Sequence, residues 1–260
     1  MTLSILAGLA VFGLMVGSFL NVCIARIPAG ESIVSPGSRC PSCRKPIAWY
    51  DNVPVLSYLL LGGRCRSCKA RISLRYPIVE IVTAVAFVLQ GLALGDALPD
   101  QIPLLALRLL FTALLITLFG TDLDTMRLPD VLTIPGIVIG LVASVWLPPG
   151  IVSSLIGAAL GAAIPYAIRW IWFRMKGVEA MGLGDVKMLA MIGAFLGWQQ
   201  VLVVLFLSSL AGAVIGVTLA ALKGRTLASR LPFGTFLALG AYAASVWGAA
   251  IVEWYAGLYR

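Results

Sequence analysis

The run LSILAGLAVFGLMVGSFLNVCIA, Leu3 to Ala25, holds 23 consecutive residues without a charge. An α-helix needs roughly 17–25 such residues to cross the hydrocarbon of a bilayer. A cleaved export signal would begin with cations, whereas here the first cation, Arg26, follows the apolar stretch. The run therefore reads as a retained anchor. The rest of the chain agrees: of 260 residues, 60% are Ala, Val, Ile, Leu, Met, Cys or aromatic before the 27 glycines are added, and 12% are charged. Soluble domains carry about 45–50% apolar residues with Gly included, and about 25% charged. So little polar side chain could not cover a folded surface in water, which excludes the water-soluble fold classes.

Inside hydrocarbon every backbone N–H and C=O must be paired internally, which leaves helices or closed barrels. The apolar runs are long and do not alternate with period two, so the expected fold is an all-α polytopic membrane protein. About eight transmembrane helices are expected, over 3–25, 76–94, 102–120, 131–147, 151–173, 185–199, 200–222 and 232–254. Lys and Arg fix the orientation. Sixteen of the nineteen fall in four segments that this pattern puts on one face: 26–75, 121–130, 174–187 and 223–230. That face is assigned to the cytosol, with both termini outward. The net charge of +8 follows from this topology and from contact with membrane lipids; it requires no nucleic acid. The sixth span is short, with eleven residues between Lys187 and Gln199, so the chain around Asp185 is expected to dip into the membrane. Small-residue pairs at Gly13/Gly17, Gly136/Gly140, Gly157/Gly161, Gly193/Gly197 and Gly212/Gly216 predict close helix packing within one bundle.

Cys40 with Cys43 and Cys65 with Cys68 form two C-x2-C pairs separated by 21 residues. Four thiolates so spaced meet a tetrahedral Zn²⁺ at about 2.3 Å, each pair supplying a knuckle turn. Disulfides would need an oxidising compartment, and the cations place this segment in the reducing cytosol. The chain has no His and the four ligands close the coordination sphere, so the zinc is read as structural, folding a segment with little core of its own. The chain then divides into a first helix (1–25), a zinc-binding cytosolic segment (26–75) and a seven-helix membrane core (76–260).

Two acidic places stand out. At 121–130 a long apolar helix runs into Asp122 and Asp124; at 182–187 the pair Gly182 and Gly184 precedes Asp185 and Lys187. Acids near a bilayer are costly, and here two fall at one depth on different spans. Neighbouring carboxylates share a proton, so one can activate water while the other polarises a carbonyl. Gly182 and Gly184 offer close backbone approach for an extended substrate, and Lys187 could bias the charge of the pair. The same acids would also suit a transporter relay, a purely structural scaffold of a secretion apparatus, or solvated ion pairs with Arg127 and Lys187.

At these residues the chain resembles the type IV prepilin peptidases, membrane aspartic proteases of the GxGD type. The resemblance covers Gly17 to Val22, both C-x2-C pairs, Asn52 to Pro54, Ser57 and Tyr58, Arg75 to Glu80, Asp122 to Asp130, Gly182 to Lys187, and Pro232 to Gly234. Thr235 stands where a second Pro is common. The resemblance implies cleavage of the basic leader of type IV prepilins or pseudopilins, the substrates of pilus and type II secretion systems. It also implies N-methylation of the new terminus with S-adenosylmethionine as donor. By motif the catalytic aspartates fall on Asp122 and Asp185, with Asp124 the second choice for the first; Glu80 is a candidate in methyl transfer. Another GxGD protease would lack the double cysteine segment.

Overall fold

The computed structural model describes residues 3–95, 100–178, 181–223 and 232–257. Among these the chain is all-helical, with no strand and two isolated β-bridges. The helices are α1 (Leu3–Arg26), α2 (Leu56–Leu60), α3 (Arg75–Leu94), α4 (Ile102–Thr125), α5 (Asp130–Ala143), α6 (Ile151–Lys176), α7 (Leu183–Leu196), α8 (Trp198–Lys223) and α9 (Phe233–Gly257). Six are long and apolar enough to cross a membrane; α5 and α7 are shorter. Each expected span thus has its helix. Arg225 and Arg230, used in the charge argument, lie outside the described residues.

The chain separates into two compact units, Met1–Thr117 and Leu118–Arg260. In the first, α1 packs along α3. The approach depends on small residues: a Cβ at Gly13 would stand 2.5 Å from the Ala84 Cα, and one at Gly17 would stand 2.7 Å from the Glu80 Cα. Leu9, Phe87, Leu105 and Leu109 fill a core between α1, α3 and the first half of α4. Buried Asn21 sends its amide to the carbonyls of Gly17 and Tyr76, fastening α1 to the start of α3.

In the second unit α7 is the central helix, packed by α5, α6, α8 and α9. Every residue from Met188 to Phe195 is buried, the mark of a helix enclosed on all sides. At about 21 Å it is shorter than the roughly 30 Å of a bilayer's hydrocarbon, and its neighbours cover it. The closest crossing is glycine on glycine, since a Cβ at Gly157 of α6 would meet the Gly193 carbonyl oxygen at 2.6 Å. The Gly157/Gly161 and Gly193/Gly197 pairs therefore serve packing inside the bundle.

Three boundaries differ from the sequence expectation for local reasons. Helix α4 continues to Thr125, and Thr121 and Thr125 return their hydroxyls to the carbonyls of Leu118 and Thr121. It closes only at Met126, with φ 52°. Helix α5 ends at Ala143, where a short turn leads into Pro148 and Pro149. The break between α7 and α8 falls at Gly197, whose φ of 81° suits glycine, two residues before the expected end.

Candidate active site and metal centre

Asp122 lies on the penultimate turn of α4 and is 4% exposed. Its Oδ2 accepts the backbone N–H of Thr235 at 2.9 Å, and the amide of Gly234 also bonds to it. Both donors come from the first turn of α9, where backbone N–H groups have no partner within the helix. Asp185 occupies the third position of α7 and is half-buried. Its Oδ2 accepts the N–H of Gly182 at 3.2 Å, capping the helix. The structure brings the two acids into one unit, close enough for the charge of Asp122 to act on Asp185. Asp124, two residues along α4, is exposed.

The neighbouring residues have specific tasks. Lys187 gives its ammonium to both oxygens of Asp130, at 2.8 and 2.7 Å, tying α7 to the start of α5. At Gly184 a Cβ would reach Leu128 Cβ at 3.0 Å, so this glycine makes room for Leu128; Gly182 has φ −73° and more space. Leu128 also faces Gly234, where a Cβ would lie 3.0 Å from both of its methyls. Leu128 and Asp130 are site neighbours to which sequence reasoning gave no role, and Thr235 was noted there only as a departure from a common pattern. Their signals were faint: a leucine between two motif acids, an acid opening a helix, and a residue that departs from a common pattern.

Glu80 belongs to the first unit. It is 7% exposed, and its Oε2 accepts the N–H of Val55 at 2.7 Å; Ser18 bonds to it as well. Val55 has φ 59°, an uncommon conformation for a β-branched residue. Nearby, the Ser57 hydroxyl donates to the carbonyl of Tyr50 and accepts the N–H of Val53.

The four cysteines converge. Their Sγ atoms all lie within 4.8 Å of one another, with Cys40 and Cys68 3.8 Å apart. A tetrahedron with bonds of about 2.3 Å has S···S edges of about 3.8 Å, so the set can hold a metal ion. Both knuckles fold alike. Cys40 N–H bonds to the Lys45 carbonyl and Arg44 N–H to Cys40; Cys65 N–H bonds to Ala70 and Lys69 N–H to Cys65. Arg44 and Lys69 take matching φ values of 57° and 60°. Backbone amides of Cys43 and Ser42 pull the Cys40 thiol down to about 6, and those of Cys68 and Ser67 lower Cys65. At Cys68 the Ala70 amide acts downward, but burial and the neighbouring thiols outweigh it and hold the group up at about 11. All four thiols are free, and so is Cys23, buried in α1.

Two family models match the chain: the bacterial peptidase A24 N-terminal domain over residues 11–94, and the type IV leader peptidase family over residues 109–217. A prepilin leader peptidase/N-methyltransferase of Aeromonas salmonicida is 39% identical, covering 94% of this chain and 91% of its own. One of Pseudomonas putida is 36% identical over 92% and 89%. The chain belongs to the prepilin leader peptidase family. A further relative with the same name, from Aeromonas hydrophila, is 40% identical over 94% and 91%. No solved structure matches the chain. Family membership and the six apolar helices together identify a multi-pass membrane enzyme.

Proposed function

We propose that this enzyme is an aspartic endopeptidase that removes the leader of type IV prepilins or pseudopilins at the cytosolic face of the bacterial inner membrane. The observation that carries the reading is the meeting of Asp122 and Asp185, from separate helices, in one unit. With one proton between them, the ionised carboxylate takes a proton from water while the protonated one polarises the scissile carbonyl. The proton taken from water then passes to the leaving amine. Buried surroundings strengthen both interactions. The cation distribution supports a cytosolic site with outward termini.

The cysteine set is proposed to hold one structural Zn²⁺ that fixes the 26–75 segment; four thiolates leave no position open for catalysis. The names of the relatives support methylation of the new N-terminus. S-adenosylmethionine, when bound, supplies the methyl group. A cleft of about 690 Å³ in the first unit, with Ser18, Arg26, Ser38 and Asn52 among its polar lining residues, has the polar groups and the room to take such a donor. Glu80, bonded to Ser18, then serves as the anionic group near the amine or the sulfonium. Incubating the purified protein with a prepilin, with and without S-adenosylmethionine, tests both activities. Mass spectrometry of the mature N-terminus should show cleavage in both samples and one added methyl only with the donor. An uncut prepilin would refute the peptidase assignment.

A further inference from the structure

We infer that Leu128 is a positioning residue for the reaction: its side chain lies against Gly184, the residue before Asp185, and against Gly234, beside Asp122, and so sets where the two carboxylates stand. The inference rests on the reading of both aspartates as catalytic.

Leu128 belongs to the short connection between α4 and α5 and is half-buried. A Cβ at Gly184 would stand 3.0 Å from the Leu128 Cβ and 3.4 Å from one of its methyls. A Cβ at Gly234 would stand 3.0 Å from both methyls and 2.9 Å from Asp122 Oδ2. One leucine therefore fills the room that both glycines leave open. It bears on the backbone that leads into Asp185 and on the backbone that bonds to Asp122. Two residues further on, Asp130 takes the ammonium of Lys187, so the same connection meets α7 on both sides of Asp185. An exposed ion pair of this kind is worth little alone, which leaves the apolar contact as the part that bears on the acids. The leucine also takes space that water would otherwise fill. How two carboxylates share a proton depends on their separation and on the water around them. The charged groups on the elements packed here are Asp124 and Arg127 beside Asp122, the Asp130–Lys187 pair, Arg169, Arg174 and Lys176 of α6, Lys223 of α8 and Glu253 of α9. Arg169 donates to the Met181 carbonyl at 3.3 Å, Arg174 and Lys176 lie over Trp170 and Trp172, and Glu253 is at the far end of its helix.

The experiment compares Leu128→Ala, Leu128→Val, Leu128→Met, Gly184→Ala and the double variant Leu128→Ala with Gly184→Ala, each in the intact chain. It measures kcat, KM and the pH profile of prepilin cleavage per folded molecule. Leu128→Ala should lower kcat by about tenfold or more, since a misplacement of about 1 Å can cost about a hundredfold. Its KM should stay near wild type. The basic limb of its pH profile should be displaced, which a smaller folded fraction would not cause. Leu128→Met keeps the volume and should restore at least about threefold of the loss. Gly184→Ala should also lose activity, and in the double variant the two losses should fall short of their product, because the truncated leucine makes room for the new methyl. Wild-type kinetics in Leu128→Ala, a loss with an unchanged pH profile, a loss confined to KM, or losses that multiply in the double variant would each overturn the inference. Should the alanine variant fail to fold, Leu128→Val decides: its kcat should fall with the profile displaced, and wild-type kinetics there would overturn the inference instead. Asp122→Asn and Asp185→Asn run in parallel separate the two ideas. Normal cleavage by either removes the catalytic reading itself, whereas two inactive Asn variants beside a wild-type-like Leu128→Ala remove only the role of the leucine.

Discussion

The carboxylate of Glu80, on membrane helix α3, accepts the N–H of Val55 in the cysteine-bearing segment at 2.7 Å. One hydrogen bond thus holds a backbone turn at φ 59° against the top of a membrane helix. Replacing Glu80 with Ala leaves that buried N–H unpaired, at a cost of about 1–3 kcal/mol. Glu80→Gln keeps an acceptor and should lose less. Thermal unfolding of the two variants in detergent should rank them in that order. If Glu80 also serves methyl transfer, both variants should lose methylation while still cleaving prepilin.

The metal site should respond to acid in a set direction. Binding needs thiolates, so metal is held better as protons leave and is released as pH falls. Cys40, at about 6, is the thiol already ionised near neutrality. Metal analysis at pH 7.5 should give about one Zn²⁺ per chain, declining as the solution is made more acidic. Cys40→Ser or Cys65→Ser should abolish retention at any pH. Intact disulfides in this segment would overturn both the zinc and the cytosolic placement.

A second pH effect comes from Asp51. Arg66 grips both of its oxygens at 2.7 and 2.6 Å and holds its carboxyl below the usual carboxylate range. A depressed carboxylate contributes stability that is present above its unfolded value, about 3.9, and lost as the pH falls through the lower folded value. Asp51→Asn should therefore be less stable than wild type at pH 7, and the difference should be smaller at pH 3. Unfolding at the two pH values measures it.

Glycines in the bundle should differ sharply in tolerance. Gly157→Ala places a methyl 2.6 Å from the Gly193 carbonyl oxygen, and separating α6 from α7 should cost about 1–3 kcal/mol. Gly8→Ala meets nothing within 4 Å and should be neutral or stabilising by up to about 1 kcal/mol. Unfolding midpoints of the two variants should move in opposite directions or differ clearly in size.

Much of this architecture was legible in the chain because apolar run length is a strong signal in a membrane protein. The paired cysteines were equally readable, since knuckle spacing alone sets the ligand geometry. Boundaries were harder: Asp122 and Asp124 looked like the end of a helix, yet α4 runs past both to Thr125. Residues two apart on a helix point to nearly opposite faces, so one of these acids had to face away from any site. Which one faces inward depends on α7 and α9, and Thr235 lies 113 residues from Asp122. Lys187, read as able to bias the charge of the aspartate pair, bonds to Asp130, a partner 57 residues away that charge spacing does not reveal.

Single-turnover cleavage of a prepilin by Asp122→Asn and by Asp185→Asn bears most directly on the proposed chemistry. Each amide keeps the size of the side chain while removing its capacity to take or give the shared proton. The account predicts that either variant, folded and zinc-loaded, loses leader removal by about a thousandfold or more, as expected when a general acid or base is deleted. Cleavage at the wild-type rate by either one would contradict it.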